Sequence, residues 1–253
     1  MTLGKGERSV PVFILNQAYH MLFVKQLFAD AMQLFYPHHC LGCGTDLLSA
    51  TNILCLKCAG SLPHTGFETI ENNPVENIFR GRVVITAGSS QFYFAKGHLV
   101  QQLIHQLKYK GNKEAGEYLG SIMGKSLAES NRYNDIDYLI PLPLYPDKEF
   151  KRGYNQAEMI CNGMAATMQV PVLNKIVIRQ RRTETQTKKH RAERWENVEG
   201  SFGIKNPGIL TGKNILLVDD VITTGATLEA CAQCMLHVPG INISFATLAT
   251  ASK

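Results

Sequence analysis

No apolar run in this chain is long enough to cross a bilayer. Stretches such as Val10–Leu15 and Ile215–Val218 stop far short of the roughly 18 residues a spanning helix needs. No small-residue cleavage site follows Val10–Leu15, so no export signal is read and a cytoplasmic protein is expected. Internal repeats and low-complexity tracts are missing, which argues against solenoids and disordered tails. Neither charge sign dominates, since 26 Lys and Arg face 21 Asp and Glu. Seven cysteines are too many to ignore, but in a chain with no export signal they do not read as a disulfide framework. No Ser/His/Asp or Cys/His arrangement stands out either, so chemistry through a covalent intermediate is not expected.

What is present is ordinary globular material: 253 residues, 45% of them apolar, enough for one or two domains with a real core. Residues 1–36 read as an extension holding an amphipathic helix at 18–36, where Leu22, Phe23, Leu27, Phe28, Ala31, Leu34 and Phe35 recur at helical spacing before Pro37. Residues 37–63 are rich in Cys and Gly and read as a metal module. Residues 64–81, polar with scattered turn formers, read as a linker. From 82 to 253 strands and helices alternate: "RVVITAGSSQFYF" as two strands about a Gly-Ser-Ser turn, helices at 97–111, 112–130 and 155–169, strands at 137–144, 170–178, 197–204, 213–220 and 241–250, and a helix from Ala226 to Val238. That alternation predicts an α/β domain with a mostly parallel sheet flanked by helices.

Cys40-Leu-Gly-Cys43 and Cys55-Leu-Lys-Cys58 are two C-x-x-C pairs eleven residues apart. Each can turn two thiolates toward one point, and four sulfurs complete a tetrahedral zinc with no position left for water. The zinc is therefore expected to be structural, supplying folding free energy to a segment too short to bury a core. Cys231 and Cys234 share a helix face without a partner pair and read as small packing residues.

"ILLVDDVITTGATL" (215–228) carries the functional signal. Open α/β sheets bind ligands at the carboxyl ends of their strands. Asp219 and Asp220 there suit the vicinal hydroxyls of a ribose and a hydrated Mg²⁺. Thr223, Thr224, Gly225, Ala226 and Thr227 then offer hydroxyls and consecutive N–H groups opening a helix, a cradle for phosphate. A sugar with a terminal phosphate matches both halves. A second concentration of charge lies in 179–194, where seven Lys or Arg outnumber two Glu.

The segment 215–228 resembles the 5-phosphoribosyl-1-pyrophosphate (PRPP) signature of type I phosphoribosyltransferases. With "PLPLYPDKEFKRGYNQAEMI" (141–160), "RRTETQTKKHRAERWENVEGSF" (181–202) and the double C-x-x-C, the chain resembles the competence protein F (ComF) family, phosphoribosyltransferase-like proteins linked to DNA uptake in naturally transformable bacteria. The resemblance implies a type I phosphoribosyltransferase fold after a small zinc ribbon, and PRPP bound with Mg²⁺. It places Asp219 and Asp220 on the ribose hydroxyls and 223–227 on the 5′-phosphate. Pro141, Leu142 and Pro143 fall at the pyrophosphate loop, with Arg152 assisting. The basic run stands where a mobile catalytic loop closes, making Arg179, Arg182 and Arg191 the catalytic candidates. Lys188-Lys189 departs from the leucine-serine pair common there. Single-stranded DNA or competence and recombination proteins are the alternative partners, held by a non-catalytic member.

Overall fold

The structure is a computed structural model in which residues 38–47, 52–95, 98–179 and 201–251 are described. The expected helix at 18–36, Arg182, Arg191 and all of the basic run after Arg179 lie outside the described residues. The chain divides into two compact units, Met1–Leu56 and Lys57–Lys253.

In the first unit β1 (His38–His39) and β2 (Asp46–Leu47) pair antiparallel around the turn that carries the first two cysteines. A short helix, α1 (Leu56–Gly60), starts just after Cys55 and carries Cys58.

The second unit is built on four strands: β3 (Gly88–Phe94), β4 (Tyr138–Pro141), β7 (Asn214–Ile222) and β8 (Asn242–Ala251), in the order β3-β8-β7-β4 and parallel at every pairing. The other helices are α2 (Pro74–Phe79), α3 (Leu99–Tyr109), α4 (Lys113–Glu129), α5 (Pro146–Arg152), α6 (Gln156–Met168) and α7 (Ala226–Met235). A separate two-stranded ribbon, β5 (Val177–Arg179) with β6 (Phe202–Ile204), flanks residues 180–200.

The period of two in β7 sorts its side chains between the sheet's faces. Ile215 and Leu217 join Phe79 of α2 and Leu228, Cys231 and Met235 of α7 in one apolar cluster. Leu216 and Val218 are equally buried and alternate to the other face. α4 and α6 meet backbone to backbone at two points: a Cβ on Gly120 would overlap the carbonyl oxygen of Ile160, and one on Gly163 that of Glu117.

Three expectations change. Residues 64–81 are not bare linker: Asn73 caps α2 by accepting from the N–H groups of Val75 and Glu76, and Phe67, Val75 and Phe79 enter the core. The Gly-Ser-Ser of 88–90 is no turn but the start of the single strand β3, its residues buried beside β8. β7 runs on to Ile222, two residues past the expected end at 220, so Asp219 and Asp220 lie inside the strand rather than at its last positions.

Candidate functional site

Because the strand continues through the acids, pleating sends their carboxylates to opposite faces of the sheet. Asp219 shares the face of Leu217, toward Cys231 of α7, while Asp220 turns to α3, where its Oδ1 meets the Lys108 ammonium at 2.8 Å. The acids are thus not the matched pair that adjacency suggests. They still sense one another: burial and the charge of Asp220 push the Asp219 carboxyl up to about 7. Opposing that rise are a hydrogen bond from the Asp220 N–H to Asp219 Oδ1 (2.8 Å) and the cations Lys108 and Arg179.

After Ile222 the chain turns through exposed Thr223 and Thr224 to Gly225, which caps α7 at φ 72°. A side chain there would be strained and blocked, since a Cβ would stand 2.7 Å from Cε1 of Phe79. The Ala226 N–H reaches back to Thr224 Oγ1 at 3.5 Å, a weak contact. The N–H groups of Thr227 and Leu228 precede the first intrahelical bond, from the Glu229 N–H to the Gly225 carbonyl, and carry the positive end of the helix dipole. Arg82 fixes this turn: its guanidinium donates to the carbonyls of Ile78 (3.0 Å) and Thr224 (2.9 Å) and pairs with Glu229. Nothing in the sequence pointed to Arg82.

The loop after β4 rises beside β7, with the N–H of Leu142 donating to the Val218 carbonyl. Asn155 caps α6 through its Oδ1 and donates from Nδ2 to the Leu142 carbonyl at 2.9 Å, tying the 141–143 segment to the next helix. Arg152 donates to Gln156 Oε1 at 2.6 Å and lies 5.7 Å from the Tyr109 ring. Arg179, at the end of β5, stacks on Tyr145 at 3.9 Å and faces Phe202 at 5.1 Å. The structure thus gathers Asp219, Asp220, 223–227, Leu142, Arg152 and Arg179 around one end of the sheet. Lys108 escaped the sequence reading because a lysine in the last turn of an amphipathic helix looks like a solvated charge.

The cysteines form a second cluster. The Sγ atoms of Cys40, Cys43, Cys55 and Cys58 all lie within 4.8 Å of one another. Cys43 and Cys55 Sγ stand 3.7 Å apart. A tetrahedron with metal–sulfur arms of about 2.3 Å has edges of about 3.8 Å, so the set fits a four-sulfur metal centre. The N–H groups of Gly42 and Cys55 point at Cys40 Sγ at 3.4 and 3.3 Å, donors suited to a thiolate.

Residues 155–253 match the phosphoribosyl transferase domain family. The chain is similar to Competence protein F of Haemophilus influenzae, at 27% identity over 81% of this chain and 93% of that protein. It is also similar to Competence protein ComFC of Bacillus subtilis, at 27% over 78% of each. A third relative is the DNA utilization protein YhgH of Escherichia coli, at 28% over 53% of this chain and 60% of that protein. The parallel sheet, the strand-to-helix turn and the four-cysteine cluster agree with these matches, which together support a phosphoribosyltransferase-like protein similar to the competence protein F family.

Proposed function

We propose that the protein binds PRPP with Mg²⁺ at the carboxyl end of β7, transfers the phosphoribosyl group to an acceptor, and acts in DNA uptake. The observation that carries this is the passage of β7 through two acids into the Gly225-capped start of α7. The 5′-phosphate takes the N–H groups of 223–227 and the hydroxyls of Thr223, Thr224 and Thr227. Asp219 and Asp220 accept the ribose hydroxyls from either side of the strand's end. Asp219 and Asp220 would help to hold a hydrated Mg²⁺, which would supply charge neutralisation to the diphosphate. Arg179, held flat on Tyr145, meets the charge that builds on the departing oxygens, and Arg152 assists from α5. Arg182 and Arg191, in the basic run, are the further candidates for that role.

The cysteine cluster holds a structural zinc in this reading, with all four positions filled by protein. The role in DNA uptake rests on the relatives named for competence and DNA utilization. Pyrophosphate release from Mg²⁺–PRPP, offered a panel of nitrogen nucleophiles, tests transfer. Turnover that disappears in Arg179→Ala supports it. Binding of PRPP with no release by any acceptor would leave the non-catalytic alternative, a binder working within an uptake or recombination assembly.

A further inference from the structure

We propose that Arg82 is a positioning residue for the 5′-phosphate: its hold on the Thr224 carbonyl turns the next peptide so that the Gly225 N–H faces the anion. This rests on the PRPP reading above and adds to it a residue far outside the 215–228 segment. One guanidinium joins the end of α2 to the start of α7. Its Nη1 donates to the carbonyls of Ile78 (3.0 Å) and Thr224 (2.9 Å), while its Nη2 pairs with the buried carboxylate of Glu229.

A trans peptide points its C=O and the following N–H in opposite directions, and among the described residues no peptide bond is cis. With its oxygen drawn to Arg82, the Thr224–Gly225 peptide aims the Gly225 N–H away from the guanidinium. That N–H has no acceptor among the described residues, so it stands ready for a ligand oxygen. Glycine alone would not hold this choice, because it takes either sign of φ with similar ease. Turned over, the same peptide would present the Thr224 carbonyl oxygen to the phosphate and repel it. The φ of 72° at Gly225 is thus kept by a side chain 142 residues from Thr224 in sequence.

Arg82 also offsets a charge. Glu229 lies one turn into α7, its N–H on the Gly225 carbonyl at 2.9 Å. An unpaired carboxylate there would oppose an anion at the helix start, and the Arg82 pair cancels it. A lysine could cancel that charge too. An ammonium lacks the planar fork that serves a carboxylate and two carbonyls at once. Orientation and charge can therefore be tested apart.

Calorimetric titration of the full chain with ribose 5-phosphate makes the separation. Wild type should bind saturably. Arg82→Lys, which keeps the charge, should bind at least about tenfold more weakly, the loss of one charge-assisted contact. The Arg82→Met/Glu229→Leu double variant, which removes both charges, should be weakened likewise. Wild-type affinity in Arg82→Lys, even with a lowered melting temperature, would make Arg82 a mere brace and overturns the proposal. Recovered affinity in the double variant would reduce Arg82 to a counter-charge and overturns it too. A measurement on the wild type covers variants that fold poorly: the Gly225 amide proton resonance should move downfield as ribose 5-phosphate saturates. A resonance that stays in place at saturation overturns the proposal with no substitution made. A wild type that binds Mg²⁺–PRPP but not ribose 5-phosphate sinks the role of Arg82 and keeps the PRPP reading, whereas binding of neither sinks both.

Discussion

Asp219 carries a strain that pH should reveal. Its carboxyl is pushed up to about 7 by burial and by Asp220. Unfolded, it titrates near the ordinary value of 3.8. Between these values the folded chain holds a proton that the unfolded chain has lost, so this residue's contribution to stability falls as pH rises from about 4 to about 7. Melting temperatures of Asp219→Asn should therefore exceed wild type at pH 8 and converge with it near pH 4. A constant offset across that range would show that the charge is not the cause. If the ionised carboxyl accepts ribose hydroxyls, Mg²⁺–PRPP affinity should climb through the same window. Gly225 poses a steric question at the other end of the motif. Its left-handed backbone and the Phe79 ring at 2.7 Å make Gly225→Ala cost about 2–4 kcal/mol, read from denaturant midpoints.

At the scale of elements, α4 and α6 meet backbone to backbone at two points. Alanine normally favours a helix interior over glycine by about 1 kcal/mol. Gly120→Ala and Gly163→Ala should reverse that sign, because each Cβ lands on a carbonyl of the facing helix. Destabilisation of about 3 kcal/mol or more is expected by urea unfolding, and a neutral result would mean the helices part easily. The four-cysteine cluster makes its own prediction. If it holds zinc as proposed, chelation should expose the Gly42 and Cys55 N–H groups to hydrogen exchange, since their acceptor is the Cys40 sulfur that the metal would hold in place. Unchanged protection after removal of bound zinc would count against a structural role.

Legibility at this scale followed periodicity. The helices at 97–111 and 112–130 were plain, because spacing and capping are local: Leu103, Ile104 and Leu107 bury one face, and Asn112 accepts from the Ala115 N–H. β3 was misread because Gly88, Ser89 and Ser90 look like a turn, yet their small side chains suit a strand buried beside β8. α2 was passed over as polar linker although Asn73-Pro74 is a start signal; its few apolar residues are too short a run to show period. α5 went unread for the same reason.

Over the whole molecule, the parallel sheet sets where chemistry can happen, and the sequence already pointed to the end of β7. The ion pair of Lys108 with Asp220, the stack of Arg179 on Tyr145 and the Arg82 clasp on Thr224 were illegible, because each joins residues far apart in the chain. Even the two acids, adjacent in sequence, needed the extent of β7 to show that they part across the sheet. The central claim is that this strand end binds PRPP. Its most direct measurement is calorimetric titration of Mg²⁺–PRPP into the wild type and Asp220→Asn. Saturable binding, weakened at least about tenfold by losing one charge-assisted contact, is the predicted result. A wild type that gives no heat of binding by an orthogonal check of the same samples, or a variant that binds as tightly as wild type, would contradict it.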